Sequence, residues 1–166
     1  MIRIHILQSR APGVGRSQRI RVVWCDAQEL TVSGEEVRRT ALALLRAADR
    51  SDVRARLTLA GLSGEQISRA LGAAVEGAEG EFQVSLGRRP GTIRFARGDA
   101  RVLIACADAR MMGHDWLRVA ESADSDNRLV RALEHATTLT ADQIDDVFAY
   151  LRILRSRDPA TEITDN

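Results

Sequence analysis

The 166-residue sequence predicts an α+β fold, a mainly antiparallel sheet packed with about four helices. Three observations predict it. Short runs such as "MIRIHIL" alternate apolar and polar side chains with the period of a half-buried strand. Three boxes of the Ser/Thr-x-x-Glu/Gln type each open a stretch with helical apolar spacing. A tight turn, Gly98-Asp99, joins two strand-like runs, glycine supplying the positive φ that a type II′ hairpin needs.

Strands are expected over 1–8 and 19–25, where Ile2, Ile4 and Ile6, then Ile20, Val22 and Trp24, share one parity. "ELTV" extends this pair into a meander. Ser33 and Glu36 form the first capping box, and the helix over 34–49 sets Val37, Ala41, Leu44, Leu45 and Ala48 on one stripe. Arg38, Arg39 and Arg46 fall outside that stripe. Residues 53–61 alternate and read as a strand. Ser63 and Gln66 open a second helix over 64–77. Strands follow over 81–87, 92–97 and 100–107, and "VLIACA" is apolar on both parities, as in a strand covered on both faces. An irregular segment over 108–127 precedes helices at 127–137 and 141–156, the last opened by Thr140 and Gln143. Residues 1–157 are expected to form one domain and 158–166 a polar tail. No internal repeat is apparent.

Composition is that of a globular protein, 45% hydrophobic and 28% charged. No run is long and apolar enough to span a membrane. Cys25 and Cys106 lie in apolar runs without C-x-x-C spacing, which points to buried, reduced thiols and a cytoplasmic protein. All 24 basic residues are arginine. Genome composition accounts for that, and bidentate recognition of carboxylates or phosphates is the functional reading. Net charge is +1, but 17 arginines face 11 carboxylates up to residue 103, and 7 face 12 beyond it.

The loop "SRAPGVGRSQ" (9–18) invites a phosphate-binding reading, which fails twice. Arg10 stands where the first Walker glycine belongs, and a strand instead of a helix follows Ser17. "LSGEQISRALG" resembles the first helix of a helix-turn-helix, but "AAVEGAEGEFQ" after it is glycine-broken and acidic. Asp124-Ser125-Asp126-Asn127 begins like a calcium loop, yet positions 6 and 12 hold Leu129 and His135. Three histidines without ligand spacing give no metal signature, and no cofactor motif is present. Cys106 and His114 in "CADARMMGHDW" form a thiol dyad only if the fold brings them together.

The expected function is therefore that of a non-enzymatic regulatory or adaptor protein that binds another protein. The alternative is nucleic-acid binding through arginine-bearing hairpin loops, with Arg88, Arg89, Arg94, Arg97 and Arg101 on or beside the late hairpins, and a cysteine-dependent enzyme comes third. The candidate contact residues are Arg10, Arg16 and Arg19 around the first loop, Arg88 and Arg89 in "GRRPG", and Met111, Met112 and Trp116 in the irregular segment.

Overall fold

The computed structural model describes residues 3–7, 19–24, 28–72 and 75–156. Ten elements follow in the order β1 (Arg3–Leu7), β2 (Arg19–Trp24), β3 (Gln28–Val32), α1 (Gly34–Leu59), α2 (Gly64–Leu71), β4 (Gln83–Leu86), β5 (Thr92–Arg97), β6 (Ala100–Ala105), α3 (Cys106–Ala136) and α4 (Ala141–Ser156). The fold class is α+β. Its strands form two antiparallel meanders, β1-β2-β3 and β4-β5-β6, instead of one sheet. Packing divides the chain into two compact units, the first ending at Asp124 and the second beginning at Ser125.

Three sequence expectations are corrected. Residues 53–61 are no strand, because α1 continues through them to Leu59. Arg, Ala and Leu are strong helix formers, and Arg54 fixes this extension by donating to the carbonyls of Gly87 at 2.7 Å and Arg88 at 3.1 Å. The second helix ends at Leu71, six residues short of 77, where Gly72 takes φ +65°. Further on, Glu76 exchanges backbone hydrogen bonds with Val84. Finally, the segment read as irregular over 108–127 is helical, part of a 31-residue α3 that begins at Cys106. Its buried positions include Ala109, Gly113, Ala120 and Ala123, small side chains that contribute little to a hydropathy stripe.

Two of the capping boxes close fully. Ser63 and Gln66 satisfy each other's backbone N–H groups, as do Thr140 and Gln143. At α1 only half the box forms. Ser33 Oγ accepts from the Glu36 N–H at 3.1 Å, while the buried Glu36 carboxylate accepts from the Arg97 guanidinium. Arg97 also lies over the Phe82 ring, 4.6 Å from its centroid. Beneath it Trp24, Phe82, Phe95 and Trp116 pack edge-to-face or stacked, with centroids 5.0–5.8 Å apart. This aromatic cluster, with Ile20, Val22, Leu44 and Ile93, is the centre of the first unit's core. In the second unit Val130 packs with Ile144 and Phe148, flanked by Leu133 and Leu151.

The order of three strands, a long helix and a shorter helix occurs twice, so the chain contains an internal repeat that its sequence conceals. β2 and β5 begin 73 residues apart, α1 and α3 begin 72 apart, and the two closed capping boxes are 77 apart. Equivalent positions share burial. Ile20 and Ile93, Val22 and Phe95, Val37 and Ala109, Leu44 and Trp116, Ala48 and Ala120, and Ile67 and Ile144 are all core residues. The ion pairs between α1 and α3 repeat as well. Arg38 of α1 bonds Asp124 of α3, and Arg110 of α3 bonds Asp52 of α1 at 2.9 Å, each arginine and each aspartate lying 72 residues from its counterpart. Hydrogen bonding to Asp124 raises the pKa of Arg38, and hydrogen bonds to Asp49 and Asp52 raise that of Arg110. Gly113 lets the two helices approach, since a Cβ there would lie 2.8 Å from Leu45 Cγ.

Candidate protein interface

The repeat supplies an internal reference for the outward face of each sheet. In the first sheet Arg21 stands opposite Thr31 and donates to Glu29, its diagonal neighbour on β3, at 3.0 Å. In the second sheet Arg94 stands opposite Leu103, and the diagonal place of Glu29 is taken by Arg101. Two exposed guanidinium groups thus sit on diagonal positions, roughly 7–8 Å apart at the backbone, where like charges disfavour the sheet. Neither has an ion-pair partner among the described residues. Between them Leu103 is 63% exposed.

The expectation that "VLIACA" is a strand covered on both faces is corrected: β6 is an edge strand of its sheet, Arg101, Leu103 and Ala105 on its outward face are exposed, and Cys106 already begins α3. The β6 sequence, ARVLIA, has no proline, and its one charged side chain, Arg101, is the feature that keeps the edge from pairing indiscriminately. At the sheet's end the 87–91 turn carries Arg88 and Arg89, both exposed. The turn's backbone is held from several sides. Gly87 N–H donates to Thr92 O at 2.8 Å, and Thr92 Oγ1 donates to Arg89 O at 2.8 Å. Cys106 N–H donates to Gly91 O at 3.0 Å, while Arg54 grips the carbonyls of Gly87 and Arg88. Gly87 itself admits no side chain, for a Cβ would come within 2.1 Å of Thr92 Oγ1. A fixed turn therefore presents two arginines that no ion pair engages among the described residues.

The arginines of α1 contrast with these. Arg38 meets Asp124, Arg39 meets Glu81, and Arg46 meets Glu76. Arg50 caps α2 through the carbonyls of Leu71 and Gly72. These contacts are within the fold. An open cleft of about 370 Å³ lies between α1 and the 76–82 turn, and its charged lining residues are paired with one another, Arg39 with Glu81 and Arg46 with Glu76.

The sequence-derived candidates are distributed as follows. Arg10 and Arg16, with the rest of the 9–18 loop and Cys25, lie outside the described residues. Arg19 is exposed at the start of β2, opposite Leu7. Arg88 and Arg89 join the surface just described. Met111 is exposed on α3, whereas Met112 packs half-buried against the core. Trp116 is corrected from a contact residue to a core residue. The helical backbone turns it inward against Phe82 and Phe95, leaving it 3% exposed. Leu103 was absent from the candidates and Arg94 and Arg101 entered only as hairpin arginines of the nucleic-acid alternative; Arg101 in the place of the equivalent Glu29 is the signal that joins them.

Several chemical readings meet the geometry directly. Cys106 and His114 are eight residues apart on one straight element, about 12 Å along the axis, well beyond a thiol–imidazole hydrogen bond. Asp124 to Asn127 are helical instead of looped, and Asp124 is engaged by Arg38. Among the described residues no three His, Cys, Asp or Glu side chains converge as metal ligands. α2 is followed by the Glu76–Val84 bridge and not by a recognition helix. β2 pairs antiparallel with β1, a strand where a Walker loop requires a helix. No helix among the described residues is long and apolar enough to cross a membrane.

No protein-family model, curated protein or solved structure matches this chain.

Proposed function

We propose that this protein is a non-enzymatic cytoplasmic regulatory or adaptor protein that binds an extended acidic segment of a partner protein along β6. The observation that carries the reading is Arg101 beside Arg94, in the place where the equivalent sheet has Glu29 beside Arg21. In the free protein that difference leaves two exposed like charges without an ion-pair partner among the described residues, beside an exposed leucine. A strand added to the β6 edge satisfies its backbone groups, sets carboxylates beside the arginines, and covers Leu103 with an apolar side chain. Arg88 and Arg89 extend the attraction beyond the strand and steer encounter.

A nucleic acid would use the same arginines but also needs aromatic surfaces for its bases. Of the six aromatic residues only Tyr150 is exposed, and it lies on α4 and not in the β4-β5-β6 sheet, which favours the protein partner. The free Cys106 thiol suits a reducing compartment.

The test is fluorescence anisotropy with a labelled peptide of alternating Glu and Val residues, followed over a salt series. Saturable binding that weakens with salt, and that falls at least tenfold in Arg101→Glu, is expected. Absence of peptide binding overturns the reading. Tighter binding of single-stranded oligouridylate than of the peptide replaces it with the nucleic-acid alternative.

A further inference from the structure

A second surface belongs to the helical hairpin of the second unit. At 100° per residue, Val147, Tyr150 and Leu154 of α4 fall within about 60° of one another, roughly 90° from the packed stripe of Ile144, Phe148 and Leu151. On α3, Leu129, Ala132 and Ala136 likewise fall within about 60°, roughly 90° from Val130 and Leu133 and in the same rotational sense. In two antiparallel helices an equal rotation in the same sense brings both stripes to one broad side. That side of the hairpin is therefore apolar across both helices. Tyr150 is 62%, Leu154 45% and Val147 38% exposed. The opposite side carries Arg131 and Glu134.

We infer that this face pairs with the same face of a second copy of the chain, forming a four-helix bundle. Two features on the face select a second copy over an unrelated helix. It is self-complementary in shape: α4 offers a ridge of large side chains, and α3 a shallow row containing Ala132 and Ala136. A two-fold that sets α4 of each copy on α3 of the other fits ridge to row twice. It is also self-complementary in charge. The outer rim of α3 bears Arg128 and the outer rim of α4 bears Asp142 and Asp146, all exposed. The same two-fold places each basic rim on the flank of the partner's acidic rim.

The size of the face sets the expected strength. A 16-residue helix is about 24 Å long, and two helices side by side span about 20 Å. Each copy then contributes about 500 Å², and the total of about 1,000 Å² lies at the small end of specific interfaces. An interface of that size belongs to the class of weak, reversible associations.

Sedimentation equilibrium of the full chain over a wide concentration range tests this. A monomer–dimer equilibrium is expected, with Tyr150→Glu and Leu154→Glu each weakening it at least tenfold and Arg131→Glu, on the opposite side, leaving it unchanged. Arg128→Asp should weaken the dimer, and adding Asp146→Arg should restore it. Within one hairpin these two residues sit on opposite outer rims, so rescue reports a contact between copies. Far-UV circular dichroism checks that each variant keeps its helices, and Tyr150→Ser replaces any variant that does not. A chain that stays monomeric at every concentration overturns the inference, as does a dimer indifferent to both glutamate substitutions.

Discussion

Arg21 and Arg94 hold the same place in the two β-hairpins, yet Arg21 has Glu29 beside it and Arg94 has Arg101. Between α1 and α3 the two halves instead keep their chemistry, Arg38 with Asp124 mirroring Arg110 with Asp52. The contrast separates two uses of arginine in a chain without lysine. Where the halves agree, the guanidinium fork joins helices or gathers two acceptors at once, as Arg110 does with Asp49 and Asp52. In the outward faces of the two hairpins, where they differ, Arg94 and Arg101 are exposed without an ion-pair partner among the described residues. Because neighbouring carboxylates raise the pKa of Arg38 and Arg110, the stabilisation from those pairs is unaffected by arginine titration across the neutral range. It declines on that account only as the pH rises through the raised values.

The sharpest way to break the comparison is to damage a place where the halves depart from each other inside the core. Arg97 occupies the position of Trp24, and its charge compensates the buried Glu36. Arg97→Met retains much of the packing on Phe82 but leaves the Glu36 carboxylate without a cation. A loss of about 3 kcal/mol in chemical denaturation is expected, the largest of these effects. Restoring most of that loss with Glu36→Gln would show that charge, not ring contact, carries the pair. If Arg97→Met is near neutral, the ion pair is not what holds the α1 start to β5.

Next in size is the seam between the long helices. Gly113→Ala places a methyl group 2.8 Å from Leu45 Cγ and 3.1 Å from Ala41 O. Overpacking of this kind costs about 1–3 kcal/mol, read as a lowered Tm. Leu45→Ala added to Gly113→Ala should cost less than the sum of the two single changes, because the clash disappears with the leucine. Additive losses would mean that the helices shift apart as rigid bodies.

How much of this was legible in the sequence depended on whether a local signal had a local cause. The capping boxes at Ser63 and Thr140 act within three residues and read correctly, as did the Gly98 turn, where φ is +55°. The end of α1 did not, because Arg54 is held by carbonyls more than thirty residues away in the chain. α3 was split because its buried side runs through alanines and a glycine whose burial depends on α1 lying close. The repeat was hidden by its changing offset. A two-residue turn at 98–99 replaces the three residues 25–27, and α3 exceeds α1 by five residues, so no single spacing aligns the halves. Of the candidate site, Arg88 and Arg89 were named from their loop. Arg94 and Arg101 were named only as hairpin arginines, and their adjacency became visible when strand register put them on diagonal positions.

The smallest expected effect bears most directly on the comparison. Arg101→Glu gives the second hairpin the diagonal pair that the first already has, a carboxylate beside Arg94. The cross-strand term should raise the stability of the isolated protein by about 0.2–1 kcal/mol. Glu29→Arg, the reverse change in the first hairpin, should lower it by a similar amount. The same Arg101→Glu protein should bind the acidic peptide at least tenfold more weakly. A residue whose replacement improves the fold while impairing binding is one the fold itself does not require. If Arg101→Glu leaves both stability and peptide binding unaltered, the difference between the hairpins is incidental, and the β6 face loses its claim to a partner.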